Sequence, residues 1–120
     1  MTAAPAAFDP ATATIVIVTF NRSHLLTGLL TSITAMDPKP GHVVIIDNAS
    51  VDDTTDVVES FRPGLGTELV YRRLETNTGG SGGFSEGMRT AYELGSEWIW
   101  MMDDDVEVLP DGLARMGKWT

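Results

Sequence analysis

Cysteine is absent from this 120-residue chain, which excludes a disulfide framework and any thiolate site. Basic residues are scarce: 8 lysines and arginines stand against 17 aspartates and glutamates, giving a formal net charge of -9. A field of that sign repels nucleic acids and anionic membrane surfaces, so no nucleic-acid partner is expected. The N-terminus lacks the basic start and long apolar run of a secretory signal, and no later run reaches membrane-spanning length. A cytoplasmic location is the resulting expectation.

The hydrophobic fraction of 42% is sufficient for one compact domain. Short runs of β-branched and apolar residues alternate along the chain with segments in which apolar residues recur at helical spacing. This alternation, with right-handed crossovers, predicts an α/β fold: an open, mainly parallel sheet with flanking helices, of Rossmann-like type. The predicted strands are residues 14–20, 42–47, 68–74 and 97–102.

Composition near the two ends of the chain sets the expected domain boundaries. Residues 1–13 are rich in alanine and proline and are expected to form a flexible N-terminal lead-in. Residues 14–120 are expected to form the ligand-binding domain. Because the sequence stops within an apparent helix that begins near Pro110, this domain is expected to be truncated at its carboxyl end.

Capping residues and glycine content predict where the helices begin. Ser23 is predicted as the N-cap of the first helix, and Ser50 with Asp53 as a capping pair for the second. Residues 77–83 include four glycines and are predicted to be irregular. A third helix is predicted to follow, on apolar residues at helical spacing: Phe84, Met88, Ala91 and Tyr92.

Polar clusters follow all four predicted strands. In open parallel sheets, ligands bind in the crevice outside the carboxyl ends of the strands. These clusters should therefore meet on one side of the sheet, and this convergence is the main functional indication in the sequence. The clusters are residues 19–22, 47–50, 77–80 and 103–105.

Three consecutive aspartates follow the fourth strand directly. Two carboxylates about 4 Å apart repel by roughly 4 kcal/mol at an effective dielectric near 20, so such a cluster requires a cation or full solvation. In extended backbone, Asp103 and Asp105 point to one side and Asp104 to the other. Asp103 and Asp105 are therefore predicted to bind Mn²⁺ or Mg²⁺ together with substrate phosphate oxygens. The alternative interpretation is a solvated acidic turn that caps the following segment.

Two further features each have two interpretations. The carboxylate of Asp47 either accepts the imide N–H of a uracil ring or caps the turn at residues 48–50, and the spacing favours neither. The glycines after Asn77 either bring backbone amides close to a nucleotide at a helix N-terminus or form a flexible turn. Arg22, just after the first strand, is the best-placed cation for a diphosphate.

These motifs together resemble the N-terminal part of glycosyltransferase family 2, an inverting family with the GT-A fold. The similarity spans residues 14 to 108. Within the family, residues 77–84 and 98–105 are most similar to actinobacterial galactofuranosyltransferases. The resemblance rests on four blocks in this order: IVTFNR at 17–22, VIIDNAS at 44–50, NTGG at 77–80 and DDD at 103–105.

The resemblance implies a nucleotide-sugar donor, expected to be UDP-linked, with UDP-galactofuranose the donor that the subfamily suggests. It implies inverting transfer to a glycan or polyprenyl-linked acceptor at the inner face of the plasma membrane, with peripheral membrane association through regions outside these residues. By position, Asp47 would contact the base, Asp103 the ribose or sugar, and Asp105 the metal. The other nucleotide-binding residues implied are Thr19, Asn21, Arg22, Asn77 and Gly79.

The family's catalytic base belongs to a later block, which places it beyond Thr120. A non-catalytic nucleotide-binding module is therefore an alternative, and the full gene length would separate the two. A second alternative is a Mg²⁺-dependent haloacid-dehalogenase-like phosphohydrolase, with Asp103 as nucleophile and Asp105 as acid. Such a pair normally follows the first strand and precedes Thr or Ser, whereas here it follows the fourth strand and Glu107 occupies that place.

Overall fold

The fold is a four-stranded parallel sheet with helices on both faces, seen in a computed structural model that describes residues 8–118. The predicted α/β class is confirmed. Each strand boundary lies within one residue of the predicted one, because the apolar runs that predict the strands form the sheet. The strands are β1 (Ala13–Thr19), β2 (His42–Asp47), β3 (Glu68–Arg73) and β4 (Trp98–Asp103).

The helices connect the strands and cover both faces of the sheet. No helix within residues 8–118 is long and apolar enough to cross a membrane. A single turn of 3-10 helix, Pro10–Thr12, precedes β1. The α-helices are α1 (Ser23–Thr34), α2 (Thr54–Phe61), α3 (Gly79–Glu93) and α4 (Gly112–Gly117).

The strand order β3-β2-β1-β4 determines where a ligand can bind. β1 pairs with β2 on one side, with Thr19 opposite Asp47, and with β4 on the other, with Val18 opposite Asp103. The connections from β1 to β2 and from β2 to β3 place each new strand further to one side of β1. The connection through α3 instead places β4 on the other side of β1. A topological switch point therefore lies between β1 and β4, and ligands bind outside the carboxyl ends of the strands at such points.

The core has a layer on each face of the sheet. Ile15 and Ile17 of β1 pack with α1 and α2 on one face. Val16, Val44 and Ile46 pack under α3 on the other. Because β1 and β2 are buried on both faces, their sequences are continuous apolar runs rather than alternating ones.

The third helix is longer than expected and presents a different face to the sheet. α3 begins at Gly79, so residues 79–83 are helical and the prediction of irregular structure there is wrong. Met88 and Tyr92, two of the apolar residues that indicated this helix, are exposed. The buried residues of α3 are instead small: Gly83, Gly87, Thr90 and Ala91.

The glycines of α3 let the helix lie unusually close to β1. A Cβ atom on Gly83 would lie 2.6 Å from Cγ1 of Val18, and one on Gly87 would lie 2.3 Å from Cγ1 of Val16. Both distances are shorter than side-chain atoms tolerate, so a larger residue would force the helix away from the sheet. Close packing explains these two glycines better than flexibility does.

The helix caps differ from the predicted ones. Ser23 is the first residue of α1 rather than its N-cap, and Asp53, at the N-cap of α2, makes no side-chain capping bond. Asp52 serves both helices: its carboxylate accepts hydrogen bonds from the backbone N–H of Ser23 at 3.2 Å and of Thr54 at 3.1 Å. One side chain thus ties the N-termini of α1 and α2 together.

The predicted lead-in at residues 1–13 is described only in part, because residues 1–7 lie outside the described residues. Phe8 packs against the core, and Pro10–Thr12 forms the 3-10 turn. Ala13 already belongs to β1. The folded domain therefore includes part of the segment that was expected to be flexible.

Candidate functional site

A cavity of about 300 Å³ opens at the switch point between β1 and β4. Its volume lies at the lower end of the range for small-ligand pockets, about 300–1,000 Å³. The wall is formed by residues at or after the carboxyl ends of all four strands, as the convergence of polar clusters predicts. The lining residues are Val18, Thr19, Phe20, Arg22, Asn48, Asn77, Gly79, Gly80, Phe84, Asp103 and Asp104.

The structure brings most of the predicted site residues together at this cavity. Asn21, Asp47 and Asp105 do not line it. Asn21 and Asp47 are instead engaged in hydrogen bonds within the protein. The predicted residues that do line the cavity are Thr19, Arg22, Asn77, Gly79 and Asp103.

Asp47 is fully buried at the end of β2 and its carboxylate is occupied. One oxygen accepts a hydrogen bond from the backbone N–H of Ser50 at 2.9 Å, and the other accepts from the hydroxyl of Tyr71 at 2.5 Å. In the turn between Asp47 and Ser50, Ala49 has a φ of +67°, in the left-handed region that non-glycine residues rarely adopt. The carboxylate therefore holds a strained turn in place.

The pKa of Tyr71 reflects the same contact. Burial of its side chain and the hydrogen bond to Asp47 raise the pKa of Tyr71 to about 12. Because Asp47 has no surface at the cavity and two protein donors, this geometry favours the interpretation in which it caps the turn. A uracil ring cannot reach this carboxylate without a rearrangement of the turn.

Asn21 stabilises the loop that carries Arg22. Its φ is +50°, a conformation that asparagine tolerates better than most residues. Its backbone N–H donates to Oγ of Ser50 at 2.9 Å, and its side-chain oxygen accepts from the N–H of Val51 at 2.8 Å. Asn21 therefore joins the loops after β1 and β2 and places Arg22 at the cavity.

Asn48 is a cavity residue that the sequence analysis did not single out. Its Nδ2 donates to the carbonyl of Gly79 at 3.0 Å, and its Oδ1 accepts from the N–H and the hydroxyl of Thr78 at 3.2 and 3.0 Å. This nearly buried amide fastens the start of α3 to the end of β2. Its position in the polar cluster after β2 was the available indication.

Part of the cavity lining attracts anions. Gly79 and Gly80, at the N-terminus of α3, line the cavity, and so does Arg22. The first amides of a helix lack intrahelical partners and carry partial positive charge, which favours phosphate groups. The N-cap residue Thr78 makes no side-chain capping bond, but the backbone N–H of Gly79 donates to Oδ1 of Asn77 at 2.8 Å, so an anion can take the Gly79 amide only by displacing that bond.

The acidic part of the lining lies next to Arg22, and its geometry differs from the predicted one. β4 ends at Asp103, and the next two aspartates form a turn rather than extended backbone, so strict alternation of sides does not apply. Asp104, which was expected to point away from the site, lines the cavity and is only 3% exposed. Its burial contradicts the interpretation of a fully solvated acidic turn.

The other two aspartates suit a hard divalent ion that arrives with its substrate. Neither Asp103 nor Asp105 accepts a hydrogen bond from residues 8–118, and both are exposed. Within the same residues, no three His, Cys, Asp or Glu side chains are arranged to hold a metal. Mg²⁺ commonly binds through one or two carboxylates and completes its shell with water and substrate phosphates, so the available donors fit that mode.

Comparison with known sequences gives consistent matches. The family model described as Glycosyl transferase family 2 matches residues 14–119. A galactofuranosyltransferase of Mycolicibacterium smegmatis is 40% identical over 90 residues, which cover 75% of this chain and 28% of that protein. The poly(ribitol-phosphate) beta-N-acetylglucosaminyltransferase TarS of Staphylococcus aureus is 39% identical over 70 residues, 57% of this chain and 12% of that protein. The chain thus spans less than a third of the length of these relatives.

Solved structures with the same fold include nucleotide-sugar complexes. S. aureus TarS with UDP-GlcNAc superposes with a TM-score of 0.72 at 27% identity, over 89% of this chain and 30% of that one. A mannosyltransferase from Pyrobaculum calidifontis with GDP-Man and Mn²⁺ superposes with a TM-score of 0.78 at 26% identity, over 90% of this chain and 32% of that one.

Proposed function

The chain belongs to glycosyl transferase family 2, and on that premise we propose that it is the donor-binding part of an inverting transferase that uses a UDP-linked sugar. The observation that carries the proposal is the cavity at the β1–β4 switch point, whose lining combines Arg22 and the N-terminus of α3 with the carboxylates of Asp103 and Asp104. A nucleoside diphosphate with a divalent ion suits this lining, because its phosphates can contact the guanidinium and the helix N-terminus while the ion contacts a carboxylate.

We assign the diphosphate to Arg22 and the first amides of α3. The chain as a whole carries a net charge of -9, so an anionic ligand depends on local positive groups. A hydrogen bond to a charged group contributes about 1.5–3 kcal/mol. The nucleoside is assigned to Asn77 and Gly79 at the same end of the cavity, with Asp103 at the ribose or sugar and Thr19 in the floor.

Asp103 and Asp105 would hold Mn²⁺ or Mg²⁺. When bound, the ion would neutralise charge that develops on the departing diphosphate as the sugar becomes oxocarbenium-like. Arg22 and the α3 N-terminus would bind the phosphates as well, which fixes the leaving group in the cavity. The acceptor hydroxyl would attack the anomeric carbon from the face opposite the diphosphate and give its proton to the base that the family carries in a later block. The bond from the anomeric carbon to the diphosphate oxygen breaks, UDP leaves, and the configuration inverts.

The donor sugar proposed is galactofuranose, on the 40% identity to a galactofuranosyltransferase. UDP is preferred as the nucleotide because TarS, a relative by sequence as well as by fold, has a structure with UDP-GlcNAc. A glycan or polyprenyl-linked acceptor at the inner face of the plasma membrane belongs to the same proposal. Membership of a glycosyltransferase family leaves no support for the phosphohydrolase alternative.

Calorimetric titration tests the nucleotide and the metal together. We expect UDP to bind at least tenfold more tightly with Mn²⁺ than with EDTA, a difference of about 1.4 kcal/mol, and more tightly than ADP. Asp105→Asn should remove most of the Mn²⁺ effect and should not weaken binding in EDTA, because the loss of a negative charge favours an anionic ligand. Asp111→Asn, which removes an acidic residue outside the cavity, is the matched control.

Equal UDP affinity with Mn²⁺ and EDTA would refute the metal assignment. Transfer is measured separately, with labelled UDP-galactofuranose, Mn²⁺ and a polyprenyl-linked glycan extract. UDP binding without transfer by any polypeptide encoded by this gene would favour the nucleotide-binding module instead.

A further inference from the structure

Asp104 is a nearly buried carboxylate between two residues of the cavity wall. Its side chain is 5% exposed. Oδ2 accepts a hydrogen bond from the hydroxyl of Thr19 at 2.9 Å, and Oδ1 lies 3.4 Å from a terminal nitrogen of Arg22. The carboxylate thus joins three elements: the end of β1, the residue before α1 and the turn after β4.

A carboxylate is costly to bury unless it is paired and hydrogen-bonded. Thr19 and Arg22 satisfy one oxygen each, and this arrangement restricts both partners. Thr19 is the last residue of β1 and is itself buried, so it fixes Asp104 relative to the sheet. Asp104 in turn restricts Arg22, whose long side chain would otherwise sample many rotamers.

Arg22 keeps most of its hydrogen-bonding capacity for a ligand. A guanidinium has five N–H donors, and within residues 8–118 this one donates only to Asp104. Its side chain is 54% exposed and lines the cavity. One terminal nitrogen of Arg22 therefore contacts Asp104, while the remaining N–H donors stay accessible from the cavity.

We propose that Asp104 is a positioning residue that holds the Arg22 guanidinium at the cavity for the donor diphosphate, a role separate from metal binding by its neighbours. The inference rests on the proposed function, because it takes the diphosphate as the ligand of Arg22. It assigns different roles to adjacent aspartates: Asp104 organises the cationic side of the site, whereas Asp103 and Asp105 remain free for the ion.

The sign of the effect distinguishes positioning from simple electrostatics. Asp104→Asn removes a negative charge beside an anion site, so electrostatics alone would strengthen UDP binding. The asparagine is close in shape and can still accept from Thr19, but it no longer pairs with a cation. Loss of the pre-organised arginine is expected to outweigh the charge effect and weaken UDP binding about five- to tenfold.

A double-mutant cycle with UDP as the probe tests the proposal. Affinities are measured by calorimetry for the unchanged chain, Asp104→Asn, Arg22→Ala and the double variant, each with Mn²⁺ and with EDTA. Asp104→Asn should weaken UDP by a similar factor in both conditions. In the Arg22→Ala background it should change affinity less than about twofold, because its effect passes through the arginine. Asp105→Asn, which should weaken UDP binding only with Mn²⁺, is the comparison.

Three outcomes overturn the proposal while UDP still binds the unchanged chain. Asp104→Asn could bind UDP as tightly as the unchanged chain or more tightly, or it could lose affinity only with Mn²⁺. The third outcome is that the losses of affinity from Asp104→Asn and Arg22→Ala add in the double variant. If Asp104→Asn does not fold, Asp104→Glu keeps the charge and moves the carboxylate by one methylene. It should weaken UDP about equally in both conditions, and unchanged affinity would overturn the proposal. Failure of the unchanged chain to bind UDP contradicts the proposed function, and this inference with it.

Discussion

At the scale of single residues, buried polar side chains fix the loops that follow the strands. Asp47 holds the turn at Ala49, and Asn48 fastens the start of α3. Asp104 links β1 to β4. Each is nearly or fully buried, and each makes hydrogen bonds to elements distant in sequence. The shape of the cavity therefore depends on residues that need not touch the ligand.

Replacement of Asp47 separates a structural role from a ligand-binding one. Asp47→Ala removes the acceptor for the Ser50 N–H, and leaving a buried donor unsatisfied costs about 1–3 kcal/mol. We expect the free energy of unfolding in urea to fall by that amount and UDP affinity to change less than about twofold, provided the variant is folded. Tyr71→Phe, which removes the donor to the other oxygen and the hydroxyl's contact with Oγ1 of Thr55, should cost about 1.5–3 kcal/mol.

The opposite pattern would restore the base-contact interpretation. If Asp47→Ala were as stable as the parent but bound UDP more than tenfold more weakly and lost its preference over ADP, the turn would have to open for the uracil ring.

At the scale of elements, the strands follow from sequence but the position of α3 does not. The apolar runs of β1 and β2 predict strands buried on both faces, and the bounds of β2 agree with the prediction. Glycine in a sequence normally indicates a break, so residues 79–83 were expected to be irregular. Of these glycines only Gly83 lies close to β1, and that contact is visible only in the three-dimensional packing.

The helix caps and the orientation of Asp104 also depend on structure that the local sequence does not reveal. Asp52 accepts from Ser23, 29 residues away, so no local motif identifies it as a cap. The alternation of sides that predicts Asp104 to point away holds only in extended backbone. The strand ends at Asp103, one residue earlier, so the rule does not apply to Asp104. The convergence of polar clusters, in contrast, follows from strand order and predicted most of the cavity wall.

Close packing of α3 on β1 gives a stability prediction. Alanine favours a helix over glycine by about 1 kcal/mol, but overpacking a core costs about 1–3 kcal/mol. Because its Cβ would lie 2.3 Å from Cγ1 of Val16, Gly87→Ala should have a free energy of unfolding about 1–3 kcal/mol lower than that of Gly80→Ala in urea denaturation, since both variants share the gain in helix propensity. Gly80→Ala, whose Cβ would meet nothing within 4 Å, is the matched control and should leave stability unchanged or raise it.

A second variant checks the cause. Adding Val16→Ala to Gly87→Ala removes the clashing methyl groups and should recover part of the loss, a non-additive result. If Gly87→Ala were instead as stable as Gly80→Ala, α3 would lie further from β1 than the structure shows.

At the scale of the whole molecule, strand order and charge determine where a nucleotide can bind. The order β3-β2-β1-β4 gathers the carboxyl ends of the strands around one switch point. In a chain of net charge -9, Arg22 provides a positive charge at that point and the N-terminus of α3 a partial positive charge. A second cavity, of about 380 Å³, lies between the C-terminal parts of α1 and α2 and includes Phe61 and Gly64.

Backbone amide chemical shifts recorded during titration of UDP with Mg²⁺ test most directly that the nucleotide occupies the switch-point cavity. Saturable shifts should concentrate at Arg22, Gly79, Gly80 and Asp104, which line that cavity. Gly64, in the second cavity, should remain unchanged and serves as an internal control. Saturable shifts at the second cavity instead, or no saturable shift at millimolar UDP, would contradict the account.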